Sequence, residues 1–150
     1  MNIRKNIFKT EDFKECLQRI EKLSTKSQPQ WGIMNSAQML SHCSEVLEVT
    51  SGKKELKNIT FYLFWFKKQI KKSVYGDKPY RRSLRTMKQY VPGDSLQFEK
   101  EKTRLFNALE FIREKSEDLP AHPLFGKNSA DDNGWAMYKH LDHHLTQFGV

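Results

Sequence analysis

Apolar residues return along this chain at spacings of three and four, and the polar stretches between them hold most of its Pro and Gly. Phe13, Leu17, Ile20 and Leu23 mark a first helix over 11–24, with Thr10 as its N-cap. The break STKSQPQWG follows. A second helix begins at Asn35, with Gln38 in the capping-box position, and runs to about Val49. Residues 60–73 form a shorter segment, aromatic and then basic. Asp94 reads as the N-cap of a long helix over 95–116 that carries Leu105, Phe106, Leu109 and Ile112. The last helix is capped near Ser129 or Asp131 and reaches Phe148. No segment reads as a strand, and there is no internal repeat or low-complexity tract.

Short links between the first two helices and between the last two favour antiparallel neighbours. The span from about 51 to 93 is too long for a turn and implies a crossover. The pattern therefore predicts an all-α, four-helix bundle of up-down-down-up order, with a long crossover that contains an extra short helix. A length of 150 residues fits one domain, 1–150.

Composition narrows this picture. A hydrophobic content of 37% excludes a disordered chain. The longest aromatic run, FYLFWF at 61–66, is far too short to span a bilayer. MNIRKNIFKTED at the start has no apolar stretch of the secretory kind. Cys16 and Cys43 form no CxxC, so buried free thiols in a reducing cytoplasm are expected. The net charge of +8 is local: 53–88 holds twelve Lys and Arg against Glu55 and Asp77, an excess of +10, and the remainder comes to −2.

Five histidines carry the candidate chemistry. His140 and His144 lie four apart, on one face of the last helix, the spacing at which two imidazoles grip one ion. At about 100° per residue, both fall at the margin of the apolar face formed by Met137, Leu141, Leu145 and Phe148. His143 falls on the polar side. On the second helix, His42 sits at the margin of a face made by Met39, Cys43, Val46 and Leu47. Three ligands from two helices would leave coordination positions open, as catalytic rather than structural sites do. The ligand set predicted is His42, His140 and His144. No HExxH is present, which excludes the metalloprotease reading.

QWGIMNSAQMLSHCSEVL at 30–47, HPLFG at 122–126 and HLDHHLTQFGV at 140–150 together closely resemble a branch of the DinB-like (YfiT-like) superfamily. The resemblance extends over essentially the whole chain. It implies the same bundle order and a divalent metal held by three histidines, which match His42, His140 and His144. It also implies chemistry of the kind seen in thiol S-transferases that use low-molecular-weight thiols, or a metal-assisted hydrolysis, on a small-molecule substrate. Homodimers are implied as well. Imidazole ligands suit zinc or nickel ahead of iron or copper. A metal-binding module or sensor without turnover is the alternative.

Around the ligands, Gln38 and Gln147 are placed to orient an imidazole; Glu45 could do so or act as a base, or be a solvated surface acid, and His143 lies outside the site or behind the ligands. Trp31 and Gly32 read as packing and turn residues, His122 as a structural loop residue, and Cys43 as a buried thiol. The segment 53–88 interleaves its bases with Phe61, Tyr62, Phe64, Trp65, Phe66, Tyr75 and Tyr80. The simplest reading is a helix that packs its aromatic face on the bundle and shows lysines to water. The same composition fits nucleic-acid or acidic-surface contact, or a roof over the cleft that attracts an anionic substrate. Nucleic acid is not the expected partner.

Overall fold

The computed structural model describes residues 4–57, 59 and 61–150, with Tyr62 by its backbone alone. It is all-helical among these residues: α1 (Thr10–Glu21), α2 (Ser36–Thr50), α3 (Phe61–Tyr75), α4 (Phe98–Glu114) and α5 (Ala130–Gln147), with a short 3₁₀ turn at Lys88–Tyr90. No strand occurs among them; the loop before α5 is closed by one bridge between His122 and Gly126.

Two of the predicted caps are present. Asn35 and Gln38 form the reciprocal capping box at the start of α2, and the Ser129 side chain accepts the Asp132 amide at the start of α5. Two others are corrected. Thr10 is already helical behind Lys9, and its hydroxyl takes a bond from Arg113 instead. Asp94 does not cap α4, which starts only at Phe98 behind Gln97. Pro92 and Gly93 keep the chain irregular there, and half-buried Leu96 ties it to the core. The reading that began the crossover helix at Thr60 touches a position outside the described residues; α3 ends at Tyr75, two residues beyond the expected 73.

Phe13, Ile20, Met39, Leu40, Leu105, Leu109, Ile112 and Leu145 are fully buried and form one core drawn from α1, α2, α4 and α5. The closest helix contacts join elements that are not consecutive in the chain: α2 with α4, and α5 with α1 and α3. Side-chain size explains the first of these. Ala37, Ser41 and Ser44 recur at helical spacing on α2 and keep that face narrow toward α4, where Ser41 and Glu48 both bond Arg104. Lys139 of α5 is buried and donates to the carbonyls of Ser73 and Gly76, both at 2.7 Å. It thereby fastens the C-terminal end of α3, where helical carbonyls lack partners.

Candidate metal centre

α2 and α5 bring three imidazoles together. The ring centroids of His42, His140 and His144 lie 5.1 Å (42–140), 4.7 Å (42–144) and 4.8 Å (140–144) apart. One ligand atom from each residue lies within 4.8 Å of the others. Nε2 of His42 stands 3.1 Å from Nε2 of His140. Adjacent nitrogens bound at about 2.0–2.1 Å to one ion are separated by roughly 2.9–3.4 Å, depending on geometry. The His42–His140 spacing falls in that range, and the third ring stands close enough to complete the group.

Hydrogen bonds fix which nitrogens face inward. Nδ1 of His42 lies 2.8 Å from the carbonyl oxygen of Tyr90. A carbonyl only accepts, so Nδ1 carries the proton and the Nε2 lone pair is free for the cluster. At His144 the argument takes one more step. Nε2 of Gln147 donates to the Trp31 carbonyl at 2.6 Å, which sets the amide orientation. Its oxygen then accepts from Nδ1 of His144 at 2.8 Å, leaving that Nε2 unprotonated as well. These are the orienting contacts that metal-binding histidines make. Gly32 makes the second one feasible: its φ is +82°, and a Cβ there would come within 2.7 Å of Gln147 Nε2.

Burial keeps the three rings neutral. Desolvation lowers His42, lowers His140 well below its ordinary value with help from neighbouring His144 and His42, and pushes His144 down to about 3. At neutral pH the cluster offers lone pairs rather than charge. Three neutral imidazoles are a donor set suited to zinc, nickel, copper or iron, and the residues present fit such an ion.

The cluster forms part of the wall of a cavity of about 540 Å³. That is the size range of small-molecule sites. Val46 and Leu47 of α2, Ile70 and Val74 of α3, Leu124 and Met137 line it with apolar surface. No carboxylate lines it among the described residues, and Arg85 is the one permanently charged side chain on its wall. Arg85 is exposed, as are Ile33, Leu84 and Val91, which also contribute to the lining. The crossover therefore meets the cavity with mainly apolar side chains.

Of the four residues expected beside the ligands, Gln147 holds His144. His143 is half-buried on the cavity wall, with its ring 5.7 Å from Trp31 and 5.6 Å from Tyr80. Gln38 and Glu45 require correction. Both ends of the Gln38 amide are taken, by the Asn35 backbone and the Gly93 carbonyl. Glu45 is bound by Arg104 and Lys54. Neither has a hydrogen bond to an imidazole among these contacts. His122 closes its own loop by accepting the Leu124 and Phe125 amides on Nδ1, and it also lines the cavity. Cys43 is buried and its thiol is pushed up by desolvation, as an inert core residue would be.

Tyr90 was not legible from the sequence as part of this site, since it acts through a backbone carbonyl that no side-chain pattern marks. The aromatic face of α3 is a further correction. Phe61, Phe64 and Trp65 are 77%, 69% and 69% exposed, so they do not pack on the helices beneath.

No curated protein and no solved structure matches the chain. A family model does, over residues 2–149, and the chain belongs to the family it describes, protein of unknown function (DUF1569).

Proposed function

We propose that this protein binds one divalent metal ion through Nε2 of His42, His140 and His144, and that it is a metal-dependent enzyme acting on a small molecule held in the adjoining cavity. The observation that carries the reading is the pair of locked tautomers. Tyr90 and Gln147 each take up the Nδ1 proton of one histidine and leave its Nε2 lone pair for the cluster. A cation shared by the cluster would satisfy both lone pairs at once.

A divalent ion bound there supplies Lewis acidity, which lowers the pKa of a coordinated thiol or water. The chain contributes the surroundings. Its apolar wall excludes water and strengthens electrostatic interactions inside. Tyr90 and Tyr80 also line the cavity, and burial raises both phenols, Tyr90 to about 12, so they stay protonated donors at neutral pH. Arg85 offers a cation to an anionic group of the substrate. A substrate with an apolar body fits this wall better than a uniformly polar one.

Thiol S-transfer and metal-assisted hydrolysis are the reactions this arrangement supports, with the resemblance to the DinB-like superfamily favouring the first. In the same reading the chain is a single cytoplasmic domain, α1, α2, α4 and α5 form an up-down-down-up bundle, and α3 rides on the crossover. Zinc or nickel is the ion favoured over iron or copper, and the protein acts as a homodimer. A metal-binding module without turnover would share the ligands, and the absence of a lining carboxylate is the feature that favours it.

Elemental analysis of tag-free protein tests the ligand set. About one ion per chain is expected in the wild type, and His144→Ala should lose it while keeping its helical circular dichroism. Full metal content in that variant would overturn the assignment. Metal-dependent product from thiols offered with electrophilic acceptors would separate the enzyme from the module.

A further inference from the structure

α3 has two apolar faces. At about 100° per residue, Leu63, Ile70 and Val74 fall together on one side, where all three are half-buried and Ile70 and Val74 line the cavity. Phe61, Phe64 and Trp65 fall on the opposite side, within one stripe, at 77%, 69% and 69% exposure. Lys68 and Lys72 continue this stripe along the next two turns, and both are exposed.

Scattered exposed apolar residues are ordinary, whereas three large rings side by side mark a contact surface. Its chemistry is set by what surrounds it. α3 contains no Asp or Glu, and the segment 53–88 has twelve bases against two acids. Whatever covers the stripe must accept aromatic rings and carry negative charge. The helix is also held in place from beneath, since Lys139 and Trp135 of α5 bond the carbonyls at its C-terminal end. The exposed rings therefore sit on a fastened helix.

We infer that α3 is a docking helix for an anionic lipid surface. Phe61, Phe64 and Trp65 enter the boundary between headgroups and acyl chains, and Lys68 and Lys72 run their methylene stems along the same boundary to reach headgroup phosphates. The stripe is roughly 17 Å long at 1.5 Å per residue, suited to lying in the interface. No described helix is long and apolar enough to cross a membrane. Charge complementarity selects the lipid: an anionic bilayer supplies apolar depth and negative charge together over a convex helix surface, whereas a nucleic-acid duplex would engage the lysines and leave three rings uncovered. The inner face of the same helix roofs the cavity, so docking sets that roof against the lipid. This inference does not depend on the metal.

Sedimentation of the full tag-free chain with vesicles tests it. The protein should bind phosphatidylcholine vesicles that contain phosphatidylglycerol, bind pure phosphatidylcholine weakly, and lose affinity as salt rises. The double variants Phe64→Ser with Trp65→Ser, and Lys68→Glu with Lys72→Glu, should each lower binding by about tenfold or more with unchanged circular dichroism. Quenching of tryptophan fluorescence by lipids brominated in the chain should disappear in Trp65→Phe, because Trp31 and Trp135 are half-buried in the protein. A wild type that stays in the supernatant with anionic vesicles would overturn the inference, whether or not it then binds nucleic acid or pairs with a second copy through this face. So would aromatic variants that bind as the wild type does.

Discussion

α2 carries a polar cluster on each of two faces, and the two differ in kind. Toward α4, Arg104 is bonded by Glu48 on two nitrogens, by Glu45, by Glu101 and by the Ser41 hydroxyl. Every charge there has an opposite charge in contact. Toward α5, His42 meets His140 and His144, three groups of one kind, at least two of them with an unprotonated Nε2. The first cluster is complete with the chain's own atoms, and burial is offset by ion pairing. The second is held in place from outside by Tyr90 and Gln147 and contains no group of opposite charge. Polar groups that satisfy one another stabilise a fold, while convergent groups that do not form a site.

Acidification should separate the two most strongly, and metal-free protein is the material for it. Burial holds His144 at about 3 and His122 at about 4, against 6.5 when unfolded. Below pH 6.5 the unfolded chain therefore binds more protons than the folded one, and stability falls with pH, the loss levelling off below the folded values. By pH 5 each of these two residues removes about 1–2 kcal/mol. Glu45 and Glu48 behave differently. Burial raises them, but hydrogen bonds from Lys54 and Arg104 outweigh it, and both end below 4.5. Their contribution is intact above pH 4.5 and is lost only below it. Denaturant titrations from pH 7.5 to 3.5 should show a first loss beginning near 6.5 and a second below 4.5. Bound metal should raise stability across this range without moving where the first loss begins, because that onset is set by the unfolded imidazoles. A flat profile between 7 and 5 would break the distinction.

The Arg104→Ala variant attacks the complete cluster directly. It strands the carboxylate of Glu101, which is 7% exposed, leaves Glu48, 13% exposed, with Lys54 alone, and should cost about 3 kcal/mol of stability. Its metal content should stay that of the wild type, since none of these Arg104 bonds involves an imidazole. Chemical denaturation and elemental analysis on the same sample read both outcomes. Loss of metal with the fold intact would mean that the two faces of α2 are coupled.

The sequence made one of these clusters legible and hid the other. His42, His140 and His144 stood out because residue type and helical spacing are both local, and each sits at the edge of an apolar face. Glu45 looked like their neighbour for the same reason, being one turn from His42. Its actual partner, Arg104, is 59 residues away on a helix whose closeness follows from small side chains at Ala37, Ser41 and Ser44. Periodicity also could not rank the two apolar faces of α3, since it reports that a face is apolar and not which one points inward. The helices themselves were legible throughout, with their ends least so: Asp94 and Thr10 have capping side chains, yet the chain enters its helices at Gln97 and Lys9.

The finest distinction rests on Gln147, which belongs to the incomplete cluster without being a ligand. In Gln147→Leu, Nδ1 of His144 loses its acceptor and the Trp31 carbonyl loses its donor. The imidazole can then turn or change tautomer, which places a proton on the nitrogen proposed to bind the metal. Loss of such an orienting contact typically lowers metal affinity by about 10–100-fold, equivalent to about 1.4–2.7 kcal/mol. Competition against a chelator of known affinity measures this. Thermal stability of the metal-free protein should change less, because leucine is close in size to the residue it replaces and keeps the site filled. Gln147→Glu sharpens the reading: a carboxylate still accepts from Nδ1 but cannot donate to the Trp31 carbonyl, so affinity should recover in part. If both variants bind metal as the wild type does, His144 is held by packing alone, and the contrast between a satisfied and an open cluster no longer depends on hydrogen bonding.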